Sequence, residues 1–96
     1  MALYIFGRFR ARPGHEEAVK EAMLEVLVHT REEPGCRSIH DYRSIRDRRL
    51  FYVHSVFEDE AAFEHHAALP HTVRFLERVQ PLIDHPLDVT RAERIG

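Results

Sequence analysis

Two periodicities of apolar residues alternate along this chain. A period of two residues predicts a strand, and a period near 3.6 residues predicts a helix. Strand-like segments are residues 2–10, 36–45, 50–57 and 87–95, and helix-like segments are residues 15–33, 58–69 and 71–83. Turn signals separate them, among them Pro13-Gly14 and Pro34-Gly35. The predicted order of elements is therefore β-α-β-β-α-(α)-β.

That order of elements is typical of the ferredoxin-like, split-βαβ arrangement. We expect an α+β fold in which an antiparallel sheet carries the helices on one face. Residues 1–96 should form a single domain, because no linker, repeat or low-complexity segment interrupts the pattern. The first strand is apolar on both faces, with Tyr4 and Phe6 opposite Leu3 and Ile5. An uncovered apolar sheet face usually marks an interface, so the sequence predicts a homodimer joined through sheet faces.

The charge of the chain is nearly balanced, with 14 basic and 16 acidic residues and a net charge of −2. Nucleic-acid binding requires a net basic face, so we expect no nucleic-acid partner. No apolar run approaches the ~20 residues of a membrane span, and we expect no secretion signal. A cytoplasmic protein without a membrane partner is therefore predicted. The single cysteine, Cys36, excludes a disulfide within the chain.

Three of the eight histidines lie in the stretch AAFEHHAALPH. On a helical wheel His66 falls in the apolar stripe and should point at the sheet, towards Gly7 and Ser55. Three roles stay open for it: a buried neutral imidazole bonded to a backbone carbonyl or to Ser55, a base or hydrogen-bond donor in a pocket, and a metal ligand. The metal role is the least favoured, because His66 and His71 are five residues apart across a proline, not four apart on one helix face.

Three motifs follow one another along the chain: FRARPGHEEA at residues 9–18, EEPGC at residues 32–36 and EDEAAFEHHAALPH at residues 58–71. Their order and spacing, with the predicted topology, resemble the antibiotic biosynthesis monooxygenase family over nearly the whole chain. The resemblance implies a dimeric α+β barrel. It also implies oxygenation of phenolic or quinol-like substrates without metal or flavin. His71 matches the family's Pro-His pair, which can cap or orient the helix that follows.

Two departures from the family pattern narrow the function. Members that cleave haem carry an Asn on the first strand and a Trp on the second helix, whereas this chain has Gly7 and His66 there and contains no Asn or Trp. Haem degradation is therefore not expected. Many members also carry a Glu on the third strand and an aromatic residue two positions later, and here those positions are Ser55 and Phe57. A histidine base would thus lack that carboxylate as its orienting partner.

The resulting prediction is a small cofactor-independent monooxygenase of quinol or polyketide-type aromatic substrates. His66 is the predicted catalytic base, because an imidazole titrates near neutral pH and can take a phenol proton. The predicted substrate-binding residues are Gly7, Tyr52, Ser55, Phe57, Phe63 and His71. The expected partners are a small aromatic molecule and molecular oxygen, with no metal. Two alternatives stay open: an isomerase or other proton-transfer enzyme of the same fold, and a non-catalytic dimeric ligand-binding domain.

Overall fold

A computed structural model describes all 96 residues and contains four strands and three α-helices. The strands are β1 (Leu3–Arg10), β2 (Cys36–Arg43), β3 (Leu50–Phe57) and β4 (Asp88–Ala92), and the helices are α1 (Glu16–Arg31), α2 (Glu60–Ala68) and α3 (Pro70–Val79). All strand pairs are antiparallel, and the strands lie in the order β2-β3-β1-β4. The predicted α+β ferredoxin-like fold is confirmed.

The observed elements differ from the predicted ones mainly at their ends. α1 ends at Arg31, two residues early, because Pro34 has no N–H with which to continue a helix. α3 begins at Pro70, since the fixed φ of proline suits the first helical position. It ends at Val79 and gives way to a short 3-10 turn, Gln80–Leu82, rather than running to residue 83. The last strand stops at Ala92.

One face of the sheet is covered by the helices, and the buried apolar residues on it form two clusters. The larger cluster joins β1, β3 and the helices, and its members are Phe9, Ala11, Val19, Ala22, Met23, Phe51, Val79 and Ile83. The smaller one lies at the other end of the strands and consists of Leu3, Ile5 and Phe57. The interior is therefore divided, and this division leaves room for the cavity described below.

The opposite face of the sheet is not covered by any element of this chain. Large side chains there are about half exposed: 51% for Phe6, 52% for Tyr42 and 40% for Tyr52. Phe6 packs against His54 of the neighbouring strand, with ring centroids 4.7 Å apart. No helix of the chain has the length and apolar character needed to span a membrane.

Candidate functional site

A small apolar cavity lies between the sheet and the three helices. Its volume is about 140 Å³. Its wall is mainly apolar and is formed by Ile5, Phe9, Met23, Val26, Ile39, Val53, Phe63, Ala67, Phe75, Leu76, Leu87 and Val89, with Thr30, Asp41, Ser55, His66 and Thr72 as the polar members. Ala67, Leu76 and Val89 are exposed, so the mouth of the cavity lies between the α2–α3 pair and β4. An apolar cavity with a few polar groups is typical of a small-molecule site.

His66 reaches the cavity from the last turn of α2. Asp59 caps the N-terminus of this helix, because its side chain accepts a hydrogen bond from the backbone N–H of Ala62 at 2.8 Å. The His66 side chain is 13% exposed. Its ring packs against Phe57 and Phe63, with centroid separations of 5.0 Å and 5.7 Å. The aromatic contacts fix the plane of the imidazole on one side of the cavity.

Glu33 is held beside His66 by the turn that follows α1. The backbone N–H of Glu33 donates to the carbonyl of Thr30 at 3.1 Å, and its own carbonyl accepts from the N–H of Cys36 at 3.1 Å. The turn lies directly against α2, because a Cβ on Gly35 would be 2.6 Å from the Cβ of Ala62. A larger residue at position 35 would push the two apart, so glycine permits the approach that buries Glu33 under the helix.

The Glu33 carboxylate accepts hydrogen bonds from two histidines. Nδ1 of His66 lies 2.8 Å from Oε2 and 3.1 Å from Oε1 of Glu33, and Nε2 of His71 lies 2.7 Å from the same Oε2. Because an ionised carboxylate can only accept, both of these nitrogens carry hydrogen. His66 Nε2 makes no hydrogen bond within the protein, and in the neutral ring it holds the lone pair. His71 also stacks on His29, with centroids 5.5 Å apart.

Asp41 belongs to the wall of the same cavity but has no such partner. Neither of its carboxyl oxygens makes a hydrogen bond within the protein, and Oδ2 is buried. Burial raises the pKa of Asp41 to about 6, against a smaller opposing effect of the nearby Arg31 guanidinium. The protein thus places an acid without a hydrogen-bond partner in an apolar wall.

The donor atoms of Glu33, His66 and His71 could also serve as metal ligands. One atom of each residue lies within 4.8 Å of the others, and two histidines with one carboxylate form a common set for transition metals. The same convergence is explained by the hydrogen bonds alone, at 2.7–2.8 Å. The geometry therefore satisfies the three side chains without an ion.

The structure brings together some of the residues predicted for the site and separates others. Ser55, Phe63 and His66 line the cavity. Phe57 is buried beneath the His66 ring. The other predicted residues do not line it. His71 contacts Oε2 of Glu33 but not the cavity, Gly7 lies under the side chain of Val53, and Tyr52 is on the opposite face of the sheet.

Two acidic residues of the site, Glu33 and Asp41, were not among the predicted ones. Glu33 lies in the EEPGC motif, whose spacing supports the family resemblance but does not indicate a chemical role for the acid. Asp41 is two residues after the buried Ile39, and strand alternation therefore places it on the covered face. The same alternation places Tyr52 and Ser55 on opposite faces of β3. Strand alternation was therefore the signal that could have placed Asp41 at the site and excluded Tyr52 from it.

Residues 2–78 of the chain match the family described as antibiotic biosynthesis monooxygenase. The chain belongs to this family, and the resemblance inferred from the three motifs is confirmed. Its fold is therefore that of a member of a monooxygenase family. No curated protein matches the chain.

Solved structures with the same fold cover the chain almost completely. Rv0793 from Mycobacterium tuberculosis is 25% identical, with a TM-score of 0.94 over 100% of this chain and 97% of its own. PA3566 from Pseudomonas aeruginosa is 26% identical, with a TM-score of 0.92 over 99% and 95%. A structure described as an antibiotic biosynthesis monooxygenase is 20% identical, with a TM-score of 0.92 over 98% and 99%. At that identity the last one supports the fold alone.

Proposed function

We propose that this protein is a small monooxygenase that oxidises a quinol or polyketide-type aromatic substrate with molecular oxygen, without a metal or a flavin. The observation that carries the proposal is the arrangement of His66. One of its ring nitrogens is bound by a buried carboxylate, and the ring borders an apolar cavity. Membership of the family supports the class of reaction.

His66 acts in this proposal as the general base. Glu33 accepts a hydrogen bond from Nδ1, so Nε2 is the atom available to take a proton from a phenolic hydroxyl in the cavity. The imidazolium that forms is stabilised by the carboxylate, as in other histidine–carboxylate pairs. His71 donates to the same Oε2 and helps to hold the carboxylate in place, so Glu33 can supply the orienting role of the acid that is missing from the third strand.

The deprotonated substrate then supplies all the electrons. A quinolate passes one electron to O₂, and the semiquinone and superoxide recombine to form a carbon–oxygen bond. The hydroperoxide loses water and leaves a hydroxyquinone. One oxygen atom enters the product and the other leaves as water, so the balance needs no external reductant. The apolar wall excludes water from the reacting radicals.

The volume of the cavity limits the size of the substrate. Pockets for drug-sized molecules span about 300–1,000 Å³, and an apolar cavity of about 150 Å³ accommodates benzene. The cavity of about 140 Å³ therefore fits a single substituted ring. A fused-ring substrate requires that Leu76 and Val89, the exposed side chains at the mouth, move apart. Ser55 and Phe63 are the predicted substrate contacts that remain in the proposal.

Oxygen consumption tests the proposed reaction. The protein, freed of metals with a chelator and of flavin by dialysis, is mixed with hydroquinones, naphthoquinols and anthrones, and oxygen uptake is compared with spontaneous oxidation. We expect uptake with at least one single-ring quinol, and one atom of ¹⁸O₂ in the product by mass spectrometry. Uptake no faster than the spontaneous rate with every substrate would refute the proposal.

Proton transfer without oxygen is the second candidate function. The same pair, His66 with Glu33, is sufficient for an isomerase that moves a proton in a small ligand. Exchange of substrate protons with deuterated water under anaerobic conditions distinguishes the two functions, because the monooxygenase yields no product without oxygen. Binding of a ring compound without either activity would favour the non-catalytic ligand-binding domain.

We also propose that two copies associate through the uncovered sheet face. Phe6, Tyr42 and Tyr52 leave large apolar groups exposed there. Light scattering at micromolar concentration should give twice the chain mass of 11.3 kDa. Phe6→Asp should yield monomers, whereas Ile45→Asp, at a residue that is 88% exposed in the β2–β3 loop, should leave the mass unchanged. A monomeric native protein would contradict this assembly.

A further inference from the structure

We propose that Asp41 is a second polar anchor of the cavity and binds a hydrogen-bond donor on the ligand, at the end of the cavity opposite His66. The ligand is then a single ring that carries a hydroxyl at each of two opposite positions. This inference rests on the proposed function only in taking the cavity as the ligand site.

The strand register places the two polar groups far apart along the cavity. Asp41 pairs with Val53 on β3, whereas the His66 ring packs on Phe57 of the same strand. Four residues of strand separate these levels, which corresponds to roughly 13 Å. A ring with para substituents and a hydrogen bond of about 2.8 Å at each end spans most of that distance. A ligand with a single polar substituent can reach one of the two groups but not both.

The carboxyl of Asp41 is free to bind a ligand. Neither oxygen has a hydrogen-bond partner in the protein, and Oδ2 is buried. Buried polar groups are nearly always paired, because an unpaired one forfeits its hydration without compensation. Met23, Ile39 and Val53, which line the cavity with Asp41, offer no donor, and the nearby basic side chains of Arg31 and of the outer groove beside β2 make no hydrogen bond to it. Because Oδ2 is enclosed, a ligand hydroxyl would bind the other carboxyl oxygen, Oδ1, which also has no partner in the protein and is not enclosed.

Ser55 lies between the two ends and fits the same interpretation. It is buried on the covered face, level with Ile5 and Ile39, and its hydroxyl makes no hydrogen bond within the protein. The cavity thus presents three polar groups in a row, at the levels of Phe57, Ser55 and Val53 along β3. Thr30 and Thr72 also border the cavity, but their hydroxyls contact the Val26 carbonyl and Nδ1 of His66. The rest of the wall is apolar and suits the flat faces of an aromatic ring.

A matched pair of ligands tests the role of Asp41. Benzene-1,4-diol and 4-methylphenol have almost the same shape, and they differ in whether the second substituent can donate a hydrogen bond. Binding of each is measured by calorimetry under anaerobic conditions, so that turnover does not contribute. We expect the native protein to bind the diol about tenfold more tightly, as a hydrogen bond to a charged acceptor predicts.

Variants at position 41 assign the preference to its carboxyl group. Asp41→Leu should abolish the preference for the diol, and Asp41→Asn, which keeps a carbonyl acceptor, should retain part of it. Asp88→Leu, at an exposed acid on β4, is the matched control and should behave like the native chain. Both position-41 variants should fold, because the native side chain has no partner to lose; circular dichroism verifies this.

The outcomes separate this inference from the proposed monooxygenase activity. Equal binding of the two ligands by the native protein, no binding of either, or an unchanged preference in Asp41→Leu would each overturn the role of Asp41. An Asp41-dependent preference without oxygen uptake would support the role of Asp41 and contradict the monooxygenase. Oxygen uptake without the preference would do the reverse.

Discussion

Glu33 and Asp41 are acidic side chains that the fold places near the same cavity in contrasting surroundings. Glu33 is buried, and its carboxylate accepts hydrogen bonds from His66 and His71. Asp41 has no hydrogen-bond partner in the protein, and burial raises its pKa to about 6. Glu33 comes from a turn closed by Pro34, whereas Asp41 comes from the middle of a strand.

The two acids therefore have different roles in the molecule. The Glu33 carboxylate already accepts hydrogen bonds from two donors, so its role is to position the histidines. Its removal would leave two N–H groups unpaired, and each unpaired group would lower the free energy of unfolding by about 1–3 kcal/mol. An acid without a donor contributes no such contact to the free protein. Its role would be visible on a ligand or in the dependence of stability on pH. Substitutions on the Glu33 side should therefore affect turnover, and substitutions of Asp41 should affect selectivity and pH dependence.

The largest expected effect is on turnover in His66→Ala. Removal of the base should lower kcat by about 10²-fold or more, because positioned general bases contribute that much. Oxygen uptake with the best quinol measures it. His65→Ala is the matched control, since His65 is adjacent and exposed, and it should retain the native rate. A native rate in His66→Ala would remove His66 from the mechanism.

A smaller effect on the same reaction is expected from Glu33→Gln. The amide carbonyl can still accept from Nδ1 of His66, but it carries no charge to stabilise the imidazolium. We expect kcat to fall by about tenfold with little change in KM, since the loss is confined to the transition state. Glu32→Gln, at an exposed neighbour, should change neither constant. A rise in KM at constant kcat would instead indicate that Glu33 acts in binding.

The sequence predicted the direction of the His66 side chain but not its contact with Glu33. The inward direction of His66 followed from helical periodicity, which is a local property of α2. Its contact with Glu33 did not, because the two residues are 33 positions apart and meet through the turn at Gly35 and its close approach to Ala62. Tertiary contacts of this kind leave no periodic signal.

The ends of the strands also show which features local sequence predicts and which depend on tertiary contacts. β3 is observed at the predicted residues 50–57, because alternation and turn residues bound it on both sides. The final strand was predicted to residue 95, yet it ends at Ala92, the partner of Tyr4 in the ladder. The length of an edge strand is set by the neighbour that it pairs with, and the sequence of the strand does not contain that length.

The dependence of stability on pH tests whether the carboxyl of Asp41 is buried. A pKa raised by folding means that the folded state favours the protonated form of Asp41. The contribution of this group to the free energy of unfolding is therefore fully present below pH 3.8 and is lost as the pH rises through about 6. Asp41→Asn cannot ionise and should escape this decline. We expect its free energy of unfolding, relative to the native chain, to be higher at pH 8 than at pH 4 by about 1 kcal/mol, a figure reduced for solvent screening.

Urea unfolding at the two pH values measures this difference. Arg31 is the charged group that lowers the pKa of Asp41, and Lys20, Arg43 and Arg48 lie with Asp41 along the outer groove beside β2. Asp88→Asn is the control and should show no such gain with pH. A constant difference between Asp41→Asn and the native chain across this range would mean that the carboxyl is solvated, and would weaken its assignment to the cavity wall.

The smallest expected effect is that of metal removal. It tests whether Glu33, His66 and His71 act through hydrogen bonds or as metal ligands. If they act through hydrogen bonds, a chelator should leave oxygen uptake unchanged. An added zinc ion would have to displace the hydrogen on Nδ1 of His66 and occupy the carboxylate, so the ring would lose the partner that stabilises its protonated form. Zinc should therefore inhibit, and His71→Ala should reduce that inhibition by removing one ligand. Loss of activity with the chelator and its recovery with zinc would reverse the assignment, making Glu33 a metal ligand rather than the acceptor that orients a base.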